Sequence, residues 1–299
     1  MSAGGATSAA VASGSAVAAE ELMDGLTLFK GMLDDARQAE LLEFIEDLLA
    51  RGRRGALCGL TYKPPPDEWR RIGKGRETLQ FGVRVHCNKV DLASTEPLPA
   101  ELHALLDDLT TAGIFAIHER PDTCCVNIYE TGSWLPPHVD SEAFARPFCT
   151  LSLISAQEAL FGEDIDGDAG SWHGDERALR VLMPPGSVLR VGGYAAGPLC
   201  KHALPMASGR RISLTFRRLG AATRAHIQTV RDQAAAAAEA RRQRRREKKE
   251  ARGRHPLSLA GVSRAVPTVA TTLADTAALG HEGGAASGAS GAAAQCSIR

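Results

Sequence analysis

The stretch VNIYETGSWLPPHVD, residues 126–140, decides how this chain is read. It opens on Asn127-Ile128-Tyr129, an i, i+2 pair that places an amide and a phenol on one face of a strand. Both are neutral hydrogen-bonding groups suited to a polar pocket. It closes on His138-Val139-Asp140. If the strand continues there, the imidazole and the carboxylate share a face and converge on one point. Taken alone, each pair is weak. Asn-x-Tyr reads as ordinary core polarity, and His-x-Asp reads more often as a surface turn.

Further along the chain, His202 lies just after another expected strand and supplies a third group. Two histidines and one carboxylate leave open coordination positions, the arrangement of non-haem Fe(II) oxygenases. The run Arg211-Ile212-Ser213-Leu214-Thr215-Phe216-Arg217 alternates strictly, so Arg211, Ser213, Thr215 and Arg217 share one face. Arginines facing a barrel interior are costly unless they meet anions. A dicarboxylate bound in the barrel would supply them, and guanidinium grips carboxylate bidentately. The plain alternative is an edge strand with its arginines in water.

Around these motifs the texture is mainly β. Short apolar runs (Cys125–Tyr129, Phe148–Ile154, Leu179–Met183, Ser187–Val191, Arg211–Arg217) alternate with turns, which predicts a sandwich or barrel. Thr78 to Cys87 also reads as strand. Helical spacing predicts helices near 35–50 and over 97–113. Residues 51–77, broken by Pro64-Pro65-Pro66, and the Gly/Asp-rich 162–177 read as loops. The first 19 residues and residues 256–299 are low-complexity and read as disordered. An alanine-rich basic helix is expected from Thr223 to about Arg252. The domains are therefore 1–19, a folded domain over 20–220, a basic extension over 221–255 and a tail.

The net charge of zero hides an uneven distribution. Residues 1–220 carry 22 basic and 29 acidic side chains, whereas 221–255 carry 11 and 4. A basic segment on an acidic domain suits an anionic partner, a nuclear import signal or simply water. Seven cysteines, an odd number with no C-x-x-C pair, do not make a disulfide framework and suit a reducing compartment. There is no run of 18 apolar residues, so no membrane-spanning helix is expected. Nothing at the start reads as a signal peptide.

In order and spacing, RETLQFG (76–82), VNIYETGSWLPPHVD (126–140), RPFCTLSLIS (146–155) and RRISLTFRRL (210–219) together resemble the AlkB family. The resemblance is closest to the plant-type homologues of its RNA-demethylating branch. It covers about Arg76 to Leu219. It implies a double-stranded β-helix (jelly roll) with N-terminal helices, and Fe(II) on His138, Asp140 and His202. It implies 2-oxoglutarate held by Arg211 with Asn127, Tyr129 and Arg217. The implied reaction is oxidative demethylation of N-methylated nucleobases, N6-methyladenosine first among them. It consumes O2 and 2-oxoglutarate and releases succinate, CO2 and formaldehyde. The implied partner is single-stranded RNA, with DNA as the alternative, in nucleus or cytoplasm. Substrate contacts are expected from Tyr62, Trp69, Arg70, Arg71 and Lys74 in a lid over 58–90. One departure stands out: many members of that branch carry Tyr-x-Tyr soon after the Phe-Gly, and this chain has Val85-His86-Cys87. Repair of alkylated DNA, another 2-oxoglutarate-dependent oxidation and a non-catalytic RNA-binding module are the competing readings. His86, His103, His118, His173, His226 and His281 read as surface histidines.

Overall fold

The computed structural model describes residues 17–73, 75–86, 89–91 and 95–253. The chain enters through a hairpin, β1 (Ala18–Met23) and β2 (Leu26–Lys30), and then forms α1 (Asp35–Arg53). Next come β3 (Tyr62–Lys63), α2 (Asp67–Arg71), β4 (Glu77–Phe81), β5 (Arg84–His86), β6 (Lys89–Asp91) and α3 (Ala100–Thr111). The strands that follow are β7 (Thr123–Tyr129), β8 (Leu135–His138), β9 (Phe144–Leu153), β10 (Gln157–Gly162), β11 (Ile165–Asp168) and β12 (Ser171–Gly174). After them come β13 (Leu179–Met183), β14 (Val188–Val191), β15 (Lys201–Leu204), β16 (Arg211–Leu219) and α4 (Ala221–Gly253).

Two antiparallel sheets make the jelly roll. The larger has the order β1-β2-β14-β9-β16-β7-β4-β3, and the smaller the order β13-β10-β15-β8. β16 is central, pairing with β7 on one side and β9 on the other. Its alternation sorts the two faces. Ile212, Leu214 and Phe216 pack with Leu79, Val126, Ile128 and Leu151 against α1 (Ile45, Leu48, Leu49) and α3 (Leu102, Leu105, Leu106). Each of these leucines contributes about 2 kcal/mol by leaving water. The opposite face carries Arg211, Ser213, Thr215 and Arg217. α1 begins where the Asp34 carboxylate accepts from the Arg37 N–H at 2.8 Å, which satisfies one of the helix's free donors. The helices therefore take one face of the sheet, and polar chemistry is left to the other.

Several expected boundaries move. β1 starts at Ala18, inside the stretch read as disordered, because its backbone pairs with β2. The supposed loop 51–77 contains the end of α1, β3 and α2. The strand expected over 78–87 breaks at Gly82, whose φ of +84° is left-handed and where a Cβ would meet Asp122 O at 2.8 Å. The supposed loop 162–177 is the hairpin β11–β12, anchored by Ile165 and Trp172, both buried. Two residues of alternating burial are too short a signal to outweigh the glycines and aspartates around them.

The chain divides into two compact units, one ending at Arg231 and one starting at Asp232. The first turns of α4 thus belong to the body, past the boundary read at residue 220. Ile227 is buried with Val83 and Phe144, which explains why. Of the second unit, residues 232–253 are described.

Candidate metal and cosubstrate site

His138 ends β8, the edge strand of the smaller sheet, and Pro136-Pro137 precede it where the pairing with β15 shifts register, so the missing donors cost little. β8 pairs with β15 so that His138 lies opposite His202, with ring centroids 4.2 Å apart. His202 thus lies within a strand, not after one. Asp140 differs in the other direction. The strand stops at His138, so strand parity does not aim the carboxylate. Asp140 is held instead by two arginines: Arg217 Nε donates to its Oδ2 at 2.9 Å, and Arg146 Nη2 donates to its backbone O at 2.8 Å.

One ligand atom from each of His138, Asp140 and His202 lies within 4.8 Å of the other two. His138 Nδ1 sits 2.9 Å from Pro136 O. A carbonyl oxygen only accepts, so Nδ1 carries a proton, and Nε2 is the nitrogen turned to the site, 3.6 Å from Asp140 Oδ1. Burial and the adjacent His138 push the His202 imidazole down to about 3, so it stays neutral and able to ligate. Burial alone would raise the Asp140 carboxyl, but the Arg217 guanidinium beside it outweighs burial and holds it well below the usual range. Two imidazoles and one carboxylate are a donor set that fits a divalent metal with positions left open.

Across the barrel, Arg211 is 1% exposed. Its Nη2 donates to Ser152 Oγ at 2.9 Å, and its guanidinium lies 5.4 Å from the Tyr129 ring centre. Nε and Nη1 are buried without an acceptor. Burial lowers the pKa of this guanidinium, with the Tyr129 phenol opposing the shift. A buried cation with two orphaned donors is a heavy penalty unless an anion fills the space. A carboxylate accepting in fork geometry would meet that demand, so these residues fit 2-oxoglutarate. Asn127 and Tyr129 stand on β7 opposite Ser213 and Arg211. The same interior face holds Thr150 and Thr215, whose hydroxyls pair at 3.2 Å.

Two residues of this site take roles that the sequence did not assign. Arg76 Nε donates to Asn127 Oδ1 at 2.7 Å, and its guanidinium lies 5.8 Å from the Tyr129 ring. Parity held a signal for it: Arg76 stands two residues before Thr78, which pairs with Asn127. Arg146 gave none, because its partners are the backbone oxygens of Asp140, Ser141, Phe144 and Ala196. Beside Asp140 opens a cavity of about 610 Å³, lined also by Glu142, Phe144, Arg146, Ala196 and Pro198. That volume suits a small organic ligand.

The expected substrate contacts separate. Tyr62 donates to Glu77 Oε2 at 2.7 Å, and Arg53 grips the same carboxylate at 2.7 and 2.9 Å, so its hydroxyl ties β3 to β4. Trp69 is half-buried on α2, and Arg70 and Arg71 are exposed there. Lys74 lies outside the described residues, as does Cys87. The α2 segment is strapped to the turn before β8. Trp134 donates from Nε1 to Ile72 O and from its backbone N to Gly73 O, both at 3.1 Å.

The match to known families follows this geometry. Residues 25–217 match the 2OG-Fe(II) oxygenase superfamily, and the chain belongs to it. Fe(II) and 2-oxoglutarate are therefore its cofactor and cosubstrate. Among curated proteins it is similar to RNA demethylase ALKBH9B of Arabidopsis thaliana, 34% identical over 208 residues, 66% of this chain and 40% of that protein. It is similar also to RNA demethylase ALKBH10B of the same plant, 26% identical over 208 residues, 66% of this chain and 35% of that one. The chain thus spans less than half the length of these relatives. The solved structure of OsALKBH1 aligns at 18% identity and a TM-score of 0.48, over 67% of this chain and all of that one.

Proposed function

We propose that this oxygenase removes methyl groups from nitrogen atoms of nucleobases in RNA, with N6-methyladenosine as its base. The observation that carries the chemistry is the pairing of a three-ligand cluster with an orphaned buried guanidinium across one barrel. The named activities of the two plant relatives support the choice of RNA.

His138, Asp140 and His202 would hold Fe(II). Once bound, the metal supplies the redox chemistry that couples 2-oxoglutarate decarboxylation to oxidation of the methyl group by O2. The remaining work falls to side chains. Arg211 grips the far carboxylate of 2-oxoglutarate, and Asn127 and Tyr129 flank it. Arg76 orients the Asn127 amide. Arg217 keeps Asp140 ionised and aimed, and Pro136 O fixes the His138 tautomer. The base enters by the cavity beside Asp140, which requires it unstacked or single-stranded. The oxidised N-methyl group then leaves as formaldehyde.

A different methylated base is the second reading, and one observation favours it. Where relatives in this branch carry an aromatic pair, Val85 is packed beside Val83, Phe144 and Ile227. It offers no ring on which a purine can stack.

The test is turnover on a short single-stranded RNA holding one N6-methyladenosine, with His138→Ala and Arg211→Ala beside the wild type. Formaldehyde stoichiometric with succinate, lost in both variants, is the expected result. Succinate without formaldehyde would reject this substrate and leave the oxygenase standing.

A further inference from the structure

The second half of α4 is used by nothing described so far, and its charges are sorted by face. Glu239, Gln243 and Glu247 recur every four residues, with Glu250 three further on, so they form one stripe. Gln243 Nε2 donates to Glu247 Oε1 at 3.3 Å along it. Arg241, Arg245 and Lys249 recur on the opposite side, flanked by Arg242 and Arg246 on one edge and by Arg244 and Lys248 on the other. These seven cations cover an arc of about 200° at 3.6 residues per turn. All are exposed. Among the described residues, none is paired with a carboxylate of its own helix.

This arrangement carries an internal cost. Arg241 and Arg245, Arg242 and Arg246, Arg244 and Lys248, and Arg245 and Lys249 are like charges at i, i+4, each pair destabilising the helix. A polyanion laid along the face would remove that repulsion. No aliphatic side chain larger than alanine occurs between Asp232 and Glu250. The segment therefore has no apolar anchor for a membrane or a hydrophobic groove, and charge is the recognition chemistry it presents.

We propose that the basic face of α4, Arg241 to Lys249, binds the phosphate backbone of single-stranded RNA without regard to sequence. The proposal rests on the reading of RNA as substrate and adds to it a second contact, made by charge on a separate unit of the chain. From Arg241 to Lys249 the helix rises about 12 Å. With side chains on a wide arc, it meets three or four phosphates. Each phosphate neutralised on a single strand contributes about 0.7 to the slope of log Kd against log salt.

The experiment is fluorescence anisotropy of the full chain with an unmethylated 20-nucleotide RNA, titrated with KCl. The comparison variant replaces Arg241, Arg242, Arg244, Arg245, Arg246, Lys248 and Lys249 by Gln, which keeps helix propensity; circular dichroism checks that the helix survives. The expected result is a Kd at least tenfold weaker at low salt and a slope shallower by about 2 to 3. A second variant with the five arginines changed to Lys keeps the slope. An unchanged slope in the Gln variant overturns the proposal and leaves a protein partner, such as an import receptor, as the reason for the charges. A tighter Kd in that variant overturns it too, since the segment would then be masking RNA affinity. Because the RNA is unmethylated, failure of demethylation would not touch this result, and failure here would not touch demethylation.

Discussion

Arg211 and Arg217 stand on one face of β16, six residues apart, and meet opposite fates. Arg217 is neutralised by the protein itself, through Asp140 at 2.9 Å. Arg211 is buried with one hydroxyl for company and two donors unmet. The first makes a fixed ion pair that shapes a metal ligand. The second is an incomplete interaction awaiting its anion. In sequence they differ only in their neighbours. A strand face repeats side-chain direction but carries no information about what the facing sheet or loop brings to it.

Replacing each arginine by Met sharpens this contrast. Arg217→Met leaves the Asp140 charge buried and uncompensated, and metal-free stability should fall by about 3–5 kcal/mol in urea unfolding. Arg211→Met removes a buried cation that has no anionic partner in the fold, so metal-free stability should hold or rise. Its cost appears in 2-oxoglutarate affinity, weakened roughly 10²–10³-fold by calorimetry for the loss of a bidentate charged contact. If Arg211→Met unfolds the protein instead, the two ends of β16 are alike and the comparison breaks.

A smaller effect belongs to Arg76. Arg76→Ala frees the Asn127 amide that it orients at 2.7 Å. KM for 2-oxoglutarate should rise about tenfold, with kcat less affected, as for a partner acting through a binding residue.

The smallest effect is a pH slope. His202 is held neutral in the fold, pushed down to about 3, against 6.5 when unfolded. Its folded pKa is depressed, so its contribution is whole above about 6.5 and is lost as pH falls towards 3. Metal-free stability should therefore decline between pH 6.5 and 4.5, by at most about 1.4 kcal/mol per unit from this group. His202→Gln should flatten that slope. Glu77 and Asp140, both depressed, add their own losses as pH enters the ordinary carboxylate range, so the difference between wild type and His202→Gln isolates the histidine.

Much of this was legible because period-2 alternation is local. The runs at 125–129, 148–154 and 211–217 announced their strands, and parity placed Asn127, Tyr129, Arg211 and Arg217 on interior faces. The hairpin β11–β12 was not legible, since only Ile165 and Trp172 signal its burial among many turn residues. Tyr62 looked like a free aromatic in a basic loop, and its hydroxyl turned out to be committed to Glu77. Arg146 opens the stretch 146–155, but its role was not legible, because it recognises backbone oxygens that any sequence would offer.

Local sequence set the β periodicity, the helices α1 and α3, and the order of His138, Asp140, His202 and Arg211 along the chain. These follow from side-chain repeat and backbone propensity, which act over a few residues. Tertiary structure alone decided that His202 pairs across from His138, that Asp140 lies beyond its strand on Arg217 and Arg146, and that Arg211 keeps two donors unspent. Each depends on a partner brought from 6 to 77 residues away in the chain, as in Arg146 to Asp140 and Arg217 to Asp140, and closure of the barrel selects that partner.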